Sequence, residues 1–309
     1  MTESVPPRKS KSTGRNARTD AVAKTASKKS TPPAADITMG QPLELVVLAC
    51  KPRAILCRPL GGASELTLHV ATHSEVPGEI VSVVPMKLWK VAGRAHLSAE
   101  IVSRRDHIRA IGLTPLEFEP LGEWDPKKVY WGEEGQPIDE WAKPIIARGK
   151  RPLFEMEQVV PGVDPANWEY DPILEASARN AAGQVAKARE LLMDLLAKDL
   201  RCLDAHAHLG NFEFDDCPEQ ALRHYQVGVD IGEFSAGRKI AGVLPWGLID
   251  NRPFLRCLIG LGLCGWRIGM YQEAAVIFRK MLWLNPSDNQ GARYSLAAIE
   301  SGREWEAEP

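Results

Sequence analysis

The stretch Leu255–Pro286 reads LRCLIGLGLCGWRIGMYQEAAVIFRKMLWLNP and has the pattern of two amphipathic helices joined by a short turn. Gly262 and Ala274 are small enough to let two antiparallel helices approach closely. Pro286 would end the second helix, because proline cannot continue it. The stretch therefore predicts a helical hairpin whose seam is filled by Leu258, Leu261, Phe278 and Leu282.

Two further units with this pattern precede the hairpin. One begins near Leu203 and the other at Glu169, so their starts differ by the 34 residues expected of a repeat. The step from Leu203 to Leu255 is 52 residues, which indicates an insertion of about 18 residues near 236–254. A final helix over Gln290–Ser301 would cover the apolar face of the last unit. We expect residues 169–305 to form an α-helical solenoid.

This repeat resembles the tetratricopeptide repeat (TPR) family. Leu261-Gly262, Tyr271, Ala274 and Pro286 stand where the family pattern has Leu-Gly, an aromatic residue, Ala and Pro, but Gly265 stands where an aromatic residue is expected. The region is also similar to uncharacterised bacterial cytoplasmic TPR proteins and, in its later segments, to the suppressor-of-tumorigenicity 7 family. The resemblance implies a helical binding scaffold and no reaction. The segments on which the resemblance rests are Leu203–Gly210, Leu244–Gly247 with Asn251–Phe254, and Leu284–Gly291.

The same resemblance implies which residues line the concave face of the solenoid. Arginine and asparagine beside aromatic rings would suit the carboxylate and backbone groups of a peptide. A dicarboxylate clamp is not expected, because Ala207 stands where chaperone-binding relatives have a lysine. The implied residues are Asp204, Ala207, Asn211, Phe214, Asp215, Arg256, Ile259, Leu263, Trp266 and Arg267.

The insertion offers a second candidate surface, since loops on rigid scaffolds often carry recognition. Trp246, Asn251 and Arg252 lie there, and Asn289 and Arg293 would extend the surface into the last helix. The structural alternative is that Asn251 caps the following helix while Trp246 is buried. The predicted protein-binding residues are Asn211, Phe214, Trp246, Asn251, Arg252, Arg256, Trp266, Arg267, Asn289 and Arg293.

Residues 40–111 contain short apolar runs separated by proline and glycine, a pattern typical of β-strands. We expect a small antiparallel β-barrel-like domain. Such domains often bind oligonucleotides, but Trp89 is the only Phe, Trp or Tyr in the segment, so a packing role is favoured. The runs are 43–50, 54–59, 66–71, 79–84 and 88–103.

Residues 112–168 form a connector rich in aromatic residues and proline. A flexible linker rarely contains so many large rings, so we expect an ordered, irregular segment pinned to its neighbours. The alternative is a ligand groove lined by the same rings. They are Trp124, Tyr130, Trp131, Trp141 and Phe154.

Residues 1–39 are predicted to be a disordered basic tail. Residues 1–37 carry eight Lys/Arg against three Asp/Glu and no aromatic side chain, so they cannot bury enough apolar area to fold. The tail has a charge of +5 and the remainder −7. An electrostatic arm for nucleic acid is the alternative to a solvated extension.

Several function classes lack support in the sequence. The chain has no P-loop, G-x-S-x-G or H-E-x-x-H motif, and its six cysteines form no C-x-x-C pair. His206 and His208 would point to different faces of a helix, and Cys257 with Cys264 lacks a second ligand pair. We expect no catalysis, cofactor or metal. The reduced thiols and the absence of a long apolar run favour a cytoplasmic protein without membrane contact.

The sequence thus predicts an α+β multidomain protein that acts as a cytoplasmic TPR adaptor. It would bind a protein or peptide segment in the concave groove of the helices. The alternative is a nucleic-acid-associated protein in which the tail and the small β-domain contact the polyanion and the repeats recruit a partner.

Overall fold

The computed structural model describes residues 37–132, 135–163 and 170–306, which belong to one compact unit. The predicted basic tail lies almost entirely outside the described residues. Within the described ranges, no helix is long and apolar enough to cross a membrane. The chain has an α+β fold, with a five-stranded sheet followed by helices.

Five strands occupy the predicted apolar runs, and their pairing closes the sheet into a ring. The order is β1-β2-β3-β5-β4, and β4 pairs back to β1. The prediction of an antiparallel arrangement is wrong at one pair, because β3 and β5 run parallel. A ring with an odd number of strands cannot alternate direction throughout. The strands are β1 (Leu43–Lys51), β2 (Ala54–Pro59), β3 (Leu66–His69), β4 (Ile80–Val91) and β5 (Arg94–Arg105).

Strand β1 contributes to two hydrophobic cores. Leu45 and Val47 lie in the core enclosed by the sheet, whereas Val46 and Leu48 lie in the core shared with the helices. This alternation follows from the two-residue period of a strand. The sheet is therefore packed onto the helices through buried apolar side chains.

The connector is more regular than the sequence indicated. After α1 (Ile108–Ile111), strands β6 (Phe118–Trp124) and β7 (Arg151–Met156) form an antiparallel pair, and α2 (Lys143–Arg148) lies between them. The predicted pinning role of Tyr130 is wrong, since its side chain stays in solvent with 77% of its surface exposed. The other rings are half-buried against the main core: Trp124, Trp131, Trp141 and Phe154.

Within residues 170–306 the structure describes seven helices, which pack in consecutive pairs. Helix α6 is longer than the second helix of a 34-residue repeat. Part of the predicted insertion therefore extends this helix, and the rest forms two 3₁₀ turns and a loop. That loop contacts β7 through a bridge between Leu153 and Val243. The helices are α3 (Pro172–Ala181), α4 (Val185–Lys198), α5 (Leu203–Glu213), α6 (Pro218–Ala236), α7 (Arg252–Arg267), α8 (Tyr271–Leu284) and α9 (Ala292–Glu300).

Large side chains face glycines on neighbouring helices. The ring of Tyr225 on α6 fits between Gly210 on α5 and Gly260 on α7, where an added Cβ would lie 2.6 Å and 2.2 Å from ring atoms. The predicted seam is also present, because Phe278 lies against Gly262 and both Phe278 and Ala274 are buried. Small residues thus let three successive helices approach closely.

Arg151 joins the connector to the helices. It is 1% exposed, and its guanidinium lies 4.1 Å from the ring centroid of Trp283 and 4.9 Å from that of Trp124. Its Nη1 donates to the Trp283 carbonyl at 2.8 Å. Burial lowers the pKa of this guanidinium to about 10. The cation–π contacts with the two indoles compensate part of the cost of burying the cation.

Candidate functional site

The insertion is anchored by Asn251, which is 0% exposed and cannot contact a partner at the surface. Its Oδ1 accepts from the Met156 N–H at 2.8 Å, and its Nδ2 donates to the carbonyls of Phe154 and Pro245. Asn251 does occupy the N-cap position of α7, as the alternative predicted, but its side chain makes no capping hydrogen bond there. The side-chain amide instead satisfies two backbone groups of β7 and the carbonyl of Pro245 in the insertion.

Trp246 is half-buried beside two arginines of α7. The guanidinium of Arg252 lies 5.1 Å from the indole centroid and that of Arg256 lies 5.8 Å from it. Arg252 Nε also donates to the Trp246 carbonyl at 2.9 Å. The structure thus brings these three predicted residues together, with both guanidinium groups beside the indole of the same chain.

The predicted concave face is partly covered by the chain itself. Arg256 Nη1 donates to Asp204 Oδ1 at 2.7 Å, and Gln158 Nε2 from the segment after β7 donates to Asp204 Oδ2 at 2.8 Å. Asp204 and Ala207 are both buried. A partner approaching α5 here would meet Gln158 before reaching these residues.

The other end of this face is covered by the C-terminal segment. Trp305 packs edge-on against Phe214 and Trp266, with centroids 5.7 Å and 5.2 Å away. Arg267 bonds to the carboxylate and carbonyl of Asp215 and lies over the Phe214 ring. The predicted residues Phe214, Trp266 and Arg267 are thus near one another, but the two rings are covered by Trp305 of the same chain.

Asn211 is exposed on α5, yet its Oδ1 accepts the Tyr225 hydroxyl at 2.6 Å. It therefore positions Tyr225 in the packed interior. Asn289 is exposed in the turn before α9.

A groove of about 630 Å³ lies between the connector and α9, and we call it the aromatic groove. Its walls carry Tyr130, Trp131, Trp141, Tyr294 and the predicted Arg293. Both tyrosines are largely exposed, Tyr294 at 67%. The remaining lining includes Asp139, Glu140, Pro286, Leu296 and Glu300.

Hydrogen bonds fix the two indoles of the aromatic groove. Trp131 Nε1 donates to the Pro126 carbonyl at 2.8 Å and Trp141 Nε1 donates to Asp139 Oδ2 at 3.1 Å. The ring centroids lie 5.9 Å apart. The groove is therefore lined by oriented rings whose polar atoms are already satisfied.

Arg293 is the cation of this groove. Its Nη2 donates to the Tyr294 hydroxyl at 2.8 Å, and its Nη1 lies 3.5 Å from Asp288 Oδ2. The bond to Tyr294 is the main reason that the pKa of Arg293 is raised. Asp288 also accepts from the Ala292 N–H at the start of α9, which fixes the arginine relative to the helix. Burial raises the pKa of Asp288.

Sequence reasoning missed Tyr294, and it treated the connector rings first as packing residues. The sequence signal for the connector rings is the high proportion of aromatic residues in 112–168, for which a ligand groove is the alternative interpretation. The facing wall comes from α9, more than 100 residues later, so no local pattern could join the two.

A buried polar cluster lies where the sheet meets the helices. Glu213 pairs with Arg189, its Oε2 lies 3.6 Å from His224 Nε2, and Arg223 pairs with Glu79 at 3.3 Å. Burial raises the pKa of Glu213 and Glu79 and lowers that of His224. The charges compensate one another inside the protein, so we assign the cluster a structural role.

The cysteines and histidines show no metal geometry. His206 Nε2 bonds to the Leu200 carbonyl, while His208 lies near Ser177, so the two rings diverge. Burial raises the pKa of Cys57 and Cys257, which keeps these thiols protonated. Among the described residues, no group of three or more His, Cys, Asp and Glu side chains could hold a metal ion.

Comparison with known proteins adds no family assignment. No family model matches the chain, and no curated protein matches it.

Proposed function

We propose that this protein is a non-catalytic adaptor built on TPR-type helical pairs and that it binds a protein segment in the aromatic groove. The helical pairs support a scaffold role, because glycine and alanine let α5 to α8 approach closely around Tyr225 and Phe278. The one observation that carries the proposal is a groove of about 630 Å³ with four aromatic rings and Arg293 at its walls.

Tyrosine, tryptophan and arginine are the residues in which binding energy at protein interfaces concentrates. Tyr130 and Tyr294 can bury a large area on binding, while the fixed indoles of Trp131 and Trp141 lose little side-chain entropy. We therefore expect an apolar or aromatic anchor of the partner to lie against these rings. Arg293 would donate to a backbone carbonyl or carboxylate beside that anchor.

The concave face is a weaker candidate than the aromatic groove. Gln158 bonds to Asp204 at one end and Trp305 covers Phe214 and Trp266 at the other. A partner would have to displace these contacts before gaining its own, and that cost subtracts from affinity.

Peptide selection tests the proposal directly. A displayed random peptide library is selected on the full chain, and enriched peptides are titrated by fluorescence anisotropy. The double variant Tyr130→Ala/Tyr294→Ala removes the exposed rings, and Tyr170→Ala, an exposed tyrosine outside the groove, is the matched control.

We expect the double variant to weaken binding at least about tenfold, since each lost ring contact contributes about 1 kcal/mol or more. The control should change affinity by less than about twofold. No enriched peptide, or equal affinity in the double variant, would show that the groove is not the binding site.

A further inference from the structure

Three rings lie side by side on the outer face of the closed sheet. Trp89 on β4 is directly opposite His96 on β5, and His69 ends the parallel neighbour β3. Their faces are set by the strand period, because Leu68 and Leu97 next to them in sequence are buried inside the sheet. All three rings are half-buried, so part of each remains open to solvent.

The two imidazoles lie edge to edge, and Trp89 packs against both in an offset arrangement. His69 Nε2 and His96 Nδ1 are hydrogen-bonded at 2.9 Å, their ring centroids lie 5.2 Å apart, and their planes differ by 22°. Two imidazoles bonded edge to edge have this separation, so the rings lie beside each other and not one above the other. Trp89 lies 5.2 Å from His69 and 5.6 Å from His96, at 30° and 25°. We call these three residues the ring platform.

The surroundings of the ring platform are cationic. Residues 80–99, which form most of the β4–β5 hairpin, contain Lys87, Lys90 and Arg94 and no aspartate or glutamate. The Lys87 ammonium lies 5.7 Å from the Trp89 centroid. Arg94 pairs with Glu65 at 3.6 Å, in a contact open to solvent. The aromatic groove differs in kind, because three carboxylates line it.

We propose that the ring platform binds single-stranded nucleic acid, with one or two bases stacked on His69, Trp89 and His96 and with backbone phosphates near Lys87 and Lys90. Stacking needs a base whose face is free, which favours a single strand over a duplex. Lys87 and Lys90 flank Trp89 in sequence, and no carboxylate occurs within residues 80–99, which favours a phosphate backbone over a basic peptide. This inference uses a different surface from the aromatic groove and does not depend on the adaptor function.

Fluorescence anisotropy with labelled oligo(dT) and oligo(rU) tests the proposal on the full chain at low salt. Using the full chain in every sample keeps any contribution of residues 1–36 constant. The variants are Trp89→Ala, His69→Ala and Lys87→Glu, with Lys128→Glu as a control for the same charge change at an exposed site outside the sheet. Thermal unfolding of each variant reports whether it folds. If Trp89→Ala does not fold, His69→Ala takes its place in the binding test.

We expect Trp89→Ala and Lys87→Glu to raise the Kd at least about tenfold and Lys128→Glu to raise it less than about threefold. An oligonucleotide containing 5-bromouracil should cross-link on irradiation to the peptide that carries Trp89. No binding at low salt, equal binding by folded Trp89→Ala, or cross-links only outside the β4–β5 hairpin would each overturn the proposal.

Discussion

Replacing Gly260 by alanine should destabilise the protein through one contact. A Cβ at this position would lie 2.2 Å from Cε1 of Tyr225, far inside the carbon–carbon contact distance of about 3.5 Å. The ring cannot move away, because it is buried, lies against Gly210 on its other side, and donates its hydroxyl to Asn211 at 2.6 Å. Relief therefore requires α6 and α7 to separate.

The magnitude combines two opposing effects. Overpacking of this kind costs about 3 kcal/mol, and the better helix propensity of alanine returns about 1 kcal/mol. We expect Gly260→Ala to lower the free energy of unfolding by about 2 kcal/mol. Gly265→Ala, in the same helix, is the matched control, since its Cβ would meet Ala274 at 3.5 Å and the Met270 carbonyl oxygen at 3.8 Å, both ordinary contact distances. It should be neutral or stabilise by up to about 1 kcal/mol.

Urea denaturation followed by circular dichroism measures both free energies of unfolding. Adding Tyr225→Leu should make Gly260→Ala less costly than it is in the wild-type background, because the smaller side chain vacates the space. Equal stability of wild type and Gly260→Ala, or equal losses in the Gly260 and Gly265 variants, would refute the close packing of Tyr225.

Three further predictions use the same urea assay. Burial lowers the pKa of His206 to about 4, so protonation of this ring favours the unfolded chain. When the pH falls from about 7.5 to about 5, the free energy of unfolding of the wild type should therefore decrease by about 2 kcal/mol more than that of His206→Gln. Equal decreases in the two proteins would contradict this. Asn251→Ala should cost about 3 kcal/mol because three backbone groups lose a buried partner, whereas exposed Asn289→Ala should cost under about 0.5 kcal/mol. Arg151→Lys should cost about 2 kcal/mol, since lysine keeps the charge but loses the broad guanidinium over the rings of Trp124 and Trp283. Unchanged stability would exclude these cation–π contacts as stabilising.

Local patterns were sufficient for the elements of the sheet and the helical pairs. The apolar runs located β1 to β5, and the small residues Gly262 and Ala274 lie in the predicted seam. The parallel pair of β3 and β5 follows from ring closure, which no single strand encodes. Strands β6 and β7 were not predicted in the proline-rich connector. They contain Pro120 and Pro152, but a two-stranded sheet consists of edge strands, which tolerate proline.

The candidate site was harder to predict because it depends on distant contacts. Arg256, Trp266 and Arg267 do lie on the predicted helix, but their partners are Asp204, Trp305 and Asp215. A sequence pattern gives the position of a side chain on a helix and not whether another segment already covers it. For the same reason, the sequence alone does not show that His69 and His96 lie beside Trp89. Their proximity follows from the register of strands β3, β4 and β5.

The double use of strand β1 has a mechanical consequence. A hinge motion between the sheet and the helices would pull Val46 and Leu48 into water while Leu45 and Val47 stayed enclosed, so bending there would cost several kcal/mol. The two parts should therefore move as one body. If a peptide occupies the groove beside α9 while an oligonucleotide lies on β4 and β5, the protein holds the two ligands at a constant separation and orientation.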